Sequence, residues 1–143
     1  MNKKAEELGL VNTHFVTPHG LDNENHYTSA YDLAILTNYA LRIEKFREIV
    51  GTKTISVMIG NNMRTLNNTN ELLGYVEGVY GVKTGFTGNA GRCLVTACRR
   101  GNLDIIIVAL GADTKKIRGL DTKNLINYIF NNFEMVDTYG KIE

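Results

Sequence analysis

The segment 105–110 (I-I-I-V-A-L) is apolar at each of its six positions. A strand with one face in solvent alternates apolar and polar residues, whereas an uninterrupted apolar run is typical of a strand covered on both faces. Gly101-Asn102, a tight-turn signal, separates this segment from another β-prone segment, 92–98. We therefore predict an antiparallel sheet with helices packed on both faces.

The other periodic segments predict helices before and after the strands. Ser29 followed by Asp32 is a capping-box pattern that begins a helix reaching about Arg42. Further helices are predicted at 1–8, 44–50 and 115–133, and further strands at 54–59, 63–67 and 79–86. Apolar spacing predicts that the last helix packs through one face, made of Leu125, Tyr128, Ile129 and Phe133.

At 143 residues the chain is expected to form one domain. We divide the predicted domain, 1–143, into a helical part, 1–50, a β part, 51–112, and a closing helix, 113–136. A net charge of +1 provides no field that would attract nucleic acid, so no nucleic-acid partner is predicted. The first residues lack the apolar core of a signal peptide, and no apolar run approaches the ~20 residues of a membrane span.

Cys93 and Cys98 lie five residues apart on one predicted strand. Residues with odd spacing point to opposite faces of a strand, so these two thiols cannot bridge each other. We predict free, buried thiols rather than a disulfide or a metal site.

The triplet Lys83-Thr84-Gly85 ends a β-prone run. K-T-G is one of three signature elements of penicillin-binding proteins and class A β-lactamases, together with S-x-x-K and an S-x-N type of triplet. The chain has two serines, and neither begins such a motif: Ser29 is followed by A-Y-D and Ser56 by V-M-I. A nucleophile for this chemistry would therefore have to lie outside the chain.

Further segments extend the resemblance to one family. M-N-K-K-A-E-E-L-G-L at 1–10 with N-T-H-F at 12–15, P-H-G-L-D at 18–22, T-S-A-Y-D at 28–32 and the segment 81–91 occur in the family's order. Together they resemble the second half of the catalytic domain of a serine-type D-alanyl-D-alanine carboxypeptidase, a low-molecular-mass penicillin-binding protein. The resemblance implies an α/β fold of the α+β type, a truncated penicillin-binding/β-lactamase-like transpeptidase fold with an antiparallel sheet covered by helices.

The resemblance also implies an acyl-transfer site that needs no cofactor and no metal. Lys83 would place a positive charge in the cleft, and the Thr84 hydroxyl would bind the substrate carboxylate. Gly85 would let the substrate lie against the backbone, and the Phe86 N–H would form half of the oxyanion hole. The K-T-G strand must then lie at the sheet edge, because Lys83 and Thr84 point to opposite faces of a strand.

Two further residues are assigned to the substrate side by the resemblance. Arg118 matches an arginine that helps to fix the substrate's terminal carboxylate, and His19 matches a loop position near the cleft. Simpler interpretations remain for each candidate: an edge lysine that discourages aggregation for Lys83, a solvated helix-end arginine for Arg118, and loop histidines that satisfy backbone groups. A metal site formed by the three histidines, His14, His19 and His26, is the sharper and less favoured alternative.

Three functional hypotheses follow from the resemblance. The first is part of a carboxypeptidase that cleaves D-alanyl-D-alanine termini of peptidoglycan stem peptides and reacts with β-lactams. The second is a non-catalytic module that binds a peptidoglycan peptide or a partner chain, and the third is a β-lactamase relative. For the whole protein, the resemblance implies an extracytoplasmic location in association with the membrane. In the chain by itself, the edge of strand 105–110 would be unpaired, which predicts self-association.

Overall fold

The computed structural model describes residues 1–136, and residues 137–143 of the predicted domain lie outside the described part. The elements, in chain order, are α1 Asn2–Glu7, α2 Ala30–Ala40, α3 Glu44–Gly51, β1 Thr54–Ile59, β2 Asn62–Asn67, β3 Val79–Thr87, β4 Gly91–Arg100, β5 Leu103–Ala112 and α4 Lys115–Asn132. Every predicted helix and strand is present, and the bounds differ from the predicted ones by only a few residues.

Capping side chains fix where the two longest helices begin. The Asp32 N–H donates to Ser29 Oγ at 3.1 Å at the start of α2, as the capping-box pattern predicted. The Ile117 N–H donates to Thr114 Oγ1 at 3.1 Å at the start of α4. Each bond satisfies an N–H group that has no partner inside its helix.

Three antiparallel strands form the main sheet in the order β3-β4-β5, and β1 pairs with β2 in a separate two-stranded hairpin. β3 is therefore an edge strand, as the site hypothesis required. Its register with β4 places Lys83 opposite Val95, Thr84 opposite Leu94 and Gly85 opposite Cys93.

Helices cover both faces of the main sheet, and each face has its own apolar cluster. On the α4 side, buried residues of the strands and the helix pack together: Leu94, Cys98, Ile107 and Ile126. On the side of α2 and α3, the cluster contains Leu41, Val50, Val82 and Ala97. The two-sided coverage predicted from segment 105–110 is thus confirmed, and burial of these apolar surfaces stabilises the fold.

Coverage of β5 is less complete than its sequence indicates. Within the apolar segment, Ile107 is 6% exposed, whereas Leu110 is 41% exposed. β5 has β4 on one side, and no other strand of residues 1–136 pairs with its second side. Although the sequence of β5 is apolar throughout, the described residues of this chain cover only part of the strand.

The predicted inner face of α4 is wrong. Leu125, Tyr128 and Phe133 are exposed, while the buried positions of the helix are Arg118, Gly119, Thr122 and Ile126. Ile129, the one correctly placed residue of the predicted set, packs against the apolar cluster together with Phe130. The helix therefore buries polar or small residues in its first two turns and an apolar residue, Ile126, further along.

The cysteines are free, as predicted, but they differ in burial. Cys98 is fully buried in the apolar cluster below α4, whereas Cys93 is half-buried. Burial raises the pKa of the Cys98 thiol because it disfavours the thiolate. Cys98 therefore behaves as a small core residue.

Among residues 1–136, no helix is both long enough and apolar enough to cross a bilayer.

Candidate active site

Lys83, at the start of the K-T-G triplet, lies exposed on the edge strand β3. Its ammonium group donates to the Thr84 carbonyl oxygen at 2.5 Å, so the side chain lies along its own strand. The described part of the chain gives the Lys83 ammonium no carboxylate within salt-bridge distance. A positive charge thus stands beside the free edge of the sheet, available to an anionic group.

Thr84 is half-buried and points to the other face of the strand. Its Oγ1 lies 2.6 Å from Thr69 Oγ1, and either hydroxyl can donate in this pair. Because a hydroxyl both donates and accepts, this contact leaves Thr84 Oγ1 able to make a further hydrogen bond. Thr69 was not predicted as a site residue.

Gly85 and Phe86 complete the candidate strand. A Cβ added to Gly85 would lie 3.6 Å from Cys93 Cβ, an ordinary van der Waals distance, so packing within the chain does not require glycine here. The Phe86 ring is exposed, and the Arg92 guanidinium lies 3.7 Å from its centroid. The open surface at Gly85 is compatible with the predicted approach of a substrate to the backbone.

The segment 68–71 links the candidate strand to the end of α3 and to α4. Asn68 Nδ2 donates to the carbonyl oxygens of Val50 and Thr52, each at 3.1 Å. Asn70, which is buried, donates from Nδ2 to the Gly81 carbonyl oxygen at 2.9 Å. Both asparagines also accept backbone N–H groups two residues along, which stabilises local turns in this segment.

Arg118 lies away from solvent, in the first turns of α4, with 3% of its surface exposed. Its Nη2 donates to both oxygens of Glu71, at 2.7 and 2.5 Å, and its Nη1 donates to the Cys93 carbonyl oxygen at 3.2 Å. A Cβ on Gly119 would lie 3.1 Å from Glu71 Oε1, so glycine at 119 allows this close approach. The interpretation of Arg118 as a solvated helix-end arginine is therefore wrong, and its predicted role towards a substrate stays a prediction.

The three histidines satisfy groups of their own loop. The ring Nδ1 of His14 lies 2.6 Å from the Asn25 carbonyl oxygen, and His19 Nδ1 accepts the Leu21 N–H at 3.2 Å. His26 Nδ1 accepts the Val16 N–H at 3.3 Å. The residues described by the structure contain no group of three metal-ligating side chains. The hydrogen bonds of the three rings agree with the simpler interpretation, in which loop histidines satisfy backbone groups.

The histidine loop approaches the end of the candidate strand. Residues 22–24 and His26 line one shallow cleft together with Asn89 and Ala90 of the β3–β4 turn. His19 itself is exposed, and the described residues show no hydrogen bond from it to the K-T-G triplet. Its predicted substrate-side role stays a prediction.

Both serines are engaged away from β3. Ser29 Oγ caps α2, and Ser56 Oγ lies 3.2 Å from Thr65 Oγ1 across the β1–β2 hairpin. The structure therefore brings Lys83, Thr84, Gly85 and Phe86 together on one edge strand and gives them no serine from this chain.

The family model described as D-alanyl-D-alanine carboxypeptidase matches residues 1–114. The chain belongs to the D-alanyl-D-alanine carboxypeptidase family. D-alanyl-D-alanine carboxypeptidase DacF of Bacillus subtilis is 41% identical over 142 residues, which are 99% of this chain and 36% of the relative. DacA of Escherichia coli is 36% identical over 138 residues, which are 96% of this chain and 34% of the relative.

Solved structures of this family share the fold. The crystal structure of the Streptomyces K15 DD-transpeptidase superposes with a TM-score of 0.84 at 34% identity, covering 91% of this chain and 52% of that one. Penicillin-binding protein D2 of Listeria monocytogenes, solved with cefotaxime bound, gives a TM-score of 0.81 at 32% identity and covers 90% of this chain and 53% of that one. The predicted α+β penicillin-binding fold is confirmed.

The chain spans about a third of the length of the curated carboxypeptidases that it matches and about half of the solved chains. The K-T-G strand lies within the residues that the carboxypeptidase family model matches, whereas Arg118 lies beyond them.

Proposed function

We propose that this chain carries the substrate-binding strand of a serine-type D-alanyl-D-alanine carboxypeptidase that acts on peptidoglycan stem peptides. The observation that carries the proposal is the K-T-G triplet on a free sheet edge, within the part of the chain that the carboxypeptidase family model matches. The nucleophilic serine belongs to a segment outside this chain.

In this proposal the serine attacks the carbonyl carbon between two D-alanines, the terminal D-alanine leaves, and water hydrolyses the acyl-enzyme. The Lys83 ammonium stabilises negative charge in the cleft. Thr84 Oγ1, which can make a hydrogen bond in addition to the one with Thr69, binds the substrate carboxylate. The peptide pairs with β3 as an added strand, which passes over Gly85, and the Phe86 N–H contributes to the oxyanion hole.

β-Lactams acylate the same serine in this proposal. Penicillin-binding protein D2 of Listeria monocytogenes, which shares the fold, has been solved with ampicillin and with cefotaxime bound. We place the whole protein outside the cytoplasm, in association with the membrane, where the peptidoglycan substrate is found. Neither a metal nor a cofactor takes part in the proposed chemistry.

The resemblance assigns two further residues, Arg118 and His19, to the substrate side of the proposed site. Arg118 contacts the strand opposite Gly85 through the Cys93 carbonyl, while Glu71 occupies its guanidinium. Binding of the substrate carboxylate by Arg118 would require that carboxylate to replace Glu71. His19 lies on the loop that approaches the β3–β4 turn, and we retain it as a substrate-side residue.

A second candidate function is a non-catalytic module that binds a peptidoglycan peptide. It is favoured by the engagement of both serines of the chain away from the K-T-G strand. Such a module would use the same free edge of β3, without forming an acyl-enzyme.

A hybrid protein separates the two candidates. The hybrid joins the N-terminal part of Bacillus subtilis DacF to this chain, and fluorescent penicillin labelling and D-alanine release from a D-alanyl-D-alanine peptide are measured. We expect both activities in the hybrid, and no mass gain when the chain alone meets a β-lactam in intact-mass spectrometry. A stoichiometric adduct on the chain alone would contradict the proposed location of the nucleophile.

Lys83→Ala in the hybrid tests the lysine. Loss of one preorganised electrostatic group costs on the order of 100- to 1,000-fold in rate, so we expect acylation to fall by that factor while the melting transition is kept. Lys123→Ala, which removes an exposed lysine from α4, is the matched control. Equal labelling of the two folded variants would show that Lys83 is only an edge lysine.

A further inference from the structure

Each of the four consecutive residues 68–71 makes a side-chain hydrogen bond either to the K-T-G strand or to an element beside it. Asn68 forms a hydrogen bond with the end of α3, Thr69 with Thr84, and Asn70 with Gly81. Glu71 accepts a hydrogen bond from Arg118 of α4, and Arg118 also donates one to the Cys93 carbonyl oxygen on β4. We call residues 68–71 the clamp segment.

We propose that the clamp segment fixes the K-T-G strand for acylation, and that Thr69 is the positioning residue that sets the orientation of the Thr84 hydroxyl. This inference rests on the proposed function, because it assigns a role to the same site. Thr69 acts through Thr84 and does not itself contact the reacting atoms.

The anchors of Thr69 are what make its hydroxyl an effective positioning group. Asn68 and Asn70, on either side of it, make their side-chain bonds to backbone carbonyls, and Asn70 is only 3% exposed. A hydroxyl held between two anchored residues loses little entropy when it holds a partner. The 2.6 Å contact therefore restricts the rotation of Thr84 Oγ1 about its Cα–Cβ bond.

A free threonine hydroxyl on a strand would sample three staggered rotamers. With Thr69 in place, one orientation of Thr84 is favoured before the substrate arrives, which is the condition for efficient orientation of a reacting group. Without it, part of the binding energy would be used to select that orientation. The effect should therefore appear in the acylation rate more than in the stability of the fold.

The test is a double-mutant cycle on acylation of the hybrid protein by a fluorescent penicillin. Thr69→Val removes the hydroxyl at nearly constant volume, and we expect the acylation rate to fall by up to about 100-fold. Thr69→Ser should recover most of the rate. Thr65→Val is the matched control, since it removes the exposed hydroxyl that pairs with Ser56 in the hairpin at 3.2 Å.

The cycle is completed with Thr84→Val. If Thr69 acts only through Thr84, the double variant will be acylated at the same rate as Thr84→Val alone. An additive loss in the double variant, or a Thr69→Val rate equal to that of Thr65→Val, would overturn the inference.

Failure of the proposed function would have a different appearance, because the unaltered hybrid and the Thr65→Val control would also remain unlabelled. Amide hydrogen exchange of residues 83–86, measured in this chain, then decides the question of the clamp by itself. Faster exchange in Thr69→Val than in Thr65→Val supports the clamp. Equal exchange in the two variants contradicts it.

Discussion

Arg118 and Glu71 form a two-bond ion pair that joins the first turns of α4 to the clamp segment, although 47 positions separate them in the sequence. The pair is asymmetric in burial, since Arg118 is 3% exposed and the Glu71 side chain is 38% exposed. Because the guanidinium is out of contact with water, its charge depends on Glu71 for compensation.

Glu71→Gln should therefore destabilise the fold strongly. Removing one partner of a buried pair leaves an uncompensated charge, and we expect a loss of about 3 kcal/mol in the free energy of unfolding. Glu48→Gln is the matched control, because Glu48 pairs with Lys45 at 2.8 Å on the exposed side of α3, and a surface pair contributes less than about 1 kcal/mol. Urea unfolding measures both. Equal losses would show that water compensates the charge of Arg118.

The contact between Arg118 and Glu71 also shows what a single sequence does not reveal. Capping signals, apolar periodicity and turn residues are local, and they placed every helix and strand of the described chain. A polar pair at long range has no such pattern. The position of Arg118 near a helix start indicated a solvated residue or a ligand for an anion, whereas packing gave it a partner from the clamp segment.

Two errors of burial have the same origin. The apolar spacing of α4 indicated an inner face with Leu125 and Tyr128, but these side chains are exposed, and the helix packs through Thr122 and Ile126. Likewise, the apolar run of β5 includes the exposed Leu110. A sequence pattern shows which positions are apolar, but it does not show which element of the chain, if any, packs against them.

The K-T-G strand was predicted more completely, since its motif is local and its place at a sheet edge followed from the alternation of Lys83 and Thr84. Thr69 was missed as a site residue. The only available signal is the run of amide and hydroxyl side chains at 67–70, and such residues are more typical of turns than of a site. Asn68 and Asn70 do stabilise turns, and a turn signal says nothing about the partner of the Thr69 hydroxyl.

Gly85→Ala offers a test of substrate approach that is separate from folding. The new Cβ would meet Cys93 at an ordinary 3.6 Å, so the variant hybrid should fold normally. If the substrate lies against the backbone at this position, displacement by the methyl group should lower acylation by about 100-fold. The measurements are the rate of fluorescent penicillin labelling and the thermal transition.

Gly88→Ala is the control for Gly85→Ala, because a Cβ there would meet nothing within 4 Å. We expect it to retain both acylation and stability. A Gly85→Ala protein that is acylated at the rate of Gly88→Ala would contradict the approach of the substrate to Gly85.

Tyr80 should make stability depend on pH in the alkaline range. Burial of the phenol, together with its 2.9 Å hydrogen bond to Asp104, raises the pKa of Tyr80 from 10.0 to about 12. The folded protein thus keeps a proton that the unfolded chain loses, so this contribution to stability is complete below about pH 10 and is lost as the pH rises through about 12. Urea unfolding at a series of alkaline pH values measures the decline.

Tyr80→Phe should remove the contribution of Tyr80 to the alkaline loss of stability. Phenylalanine has no phenol proton that the folded and unfolded states could bind with different affinity. Tyr31→Phe, at a side chain that is 74% exposed, should leave the decline unchanged. An identical alkaline slope in the two variants would show that another group causes the loss of stability.

The free edge of β5 predicts self-association of the chain by itself. Among residues 1–136, β5 pairs only with β4, so its other side presents unpaired N–H and C=O groups beside apolar side chains, including the exposed Leu110. Such an edge pairs readily with another strand, and a charged side chain on it opposes pairing. We therefore expect the molar mass from size-exclusion chromatography with light scattering to rise with concentration.

Leu110→Lys should lower that mass towards the monomer, whereas Leu125→Lys, at an equally exposed leucine of α4, should not. A mass that stays monomeric at all concentrations would mean that the edge is already protected.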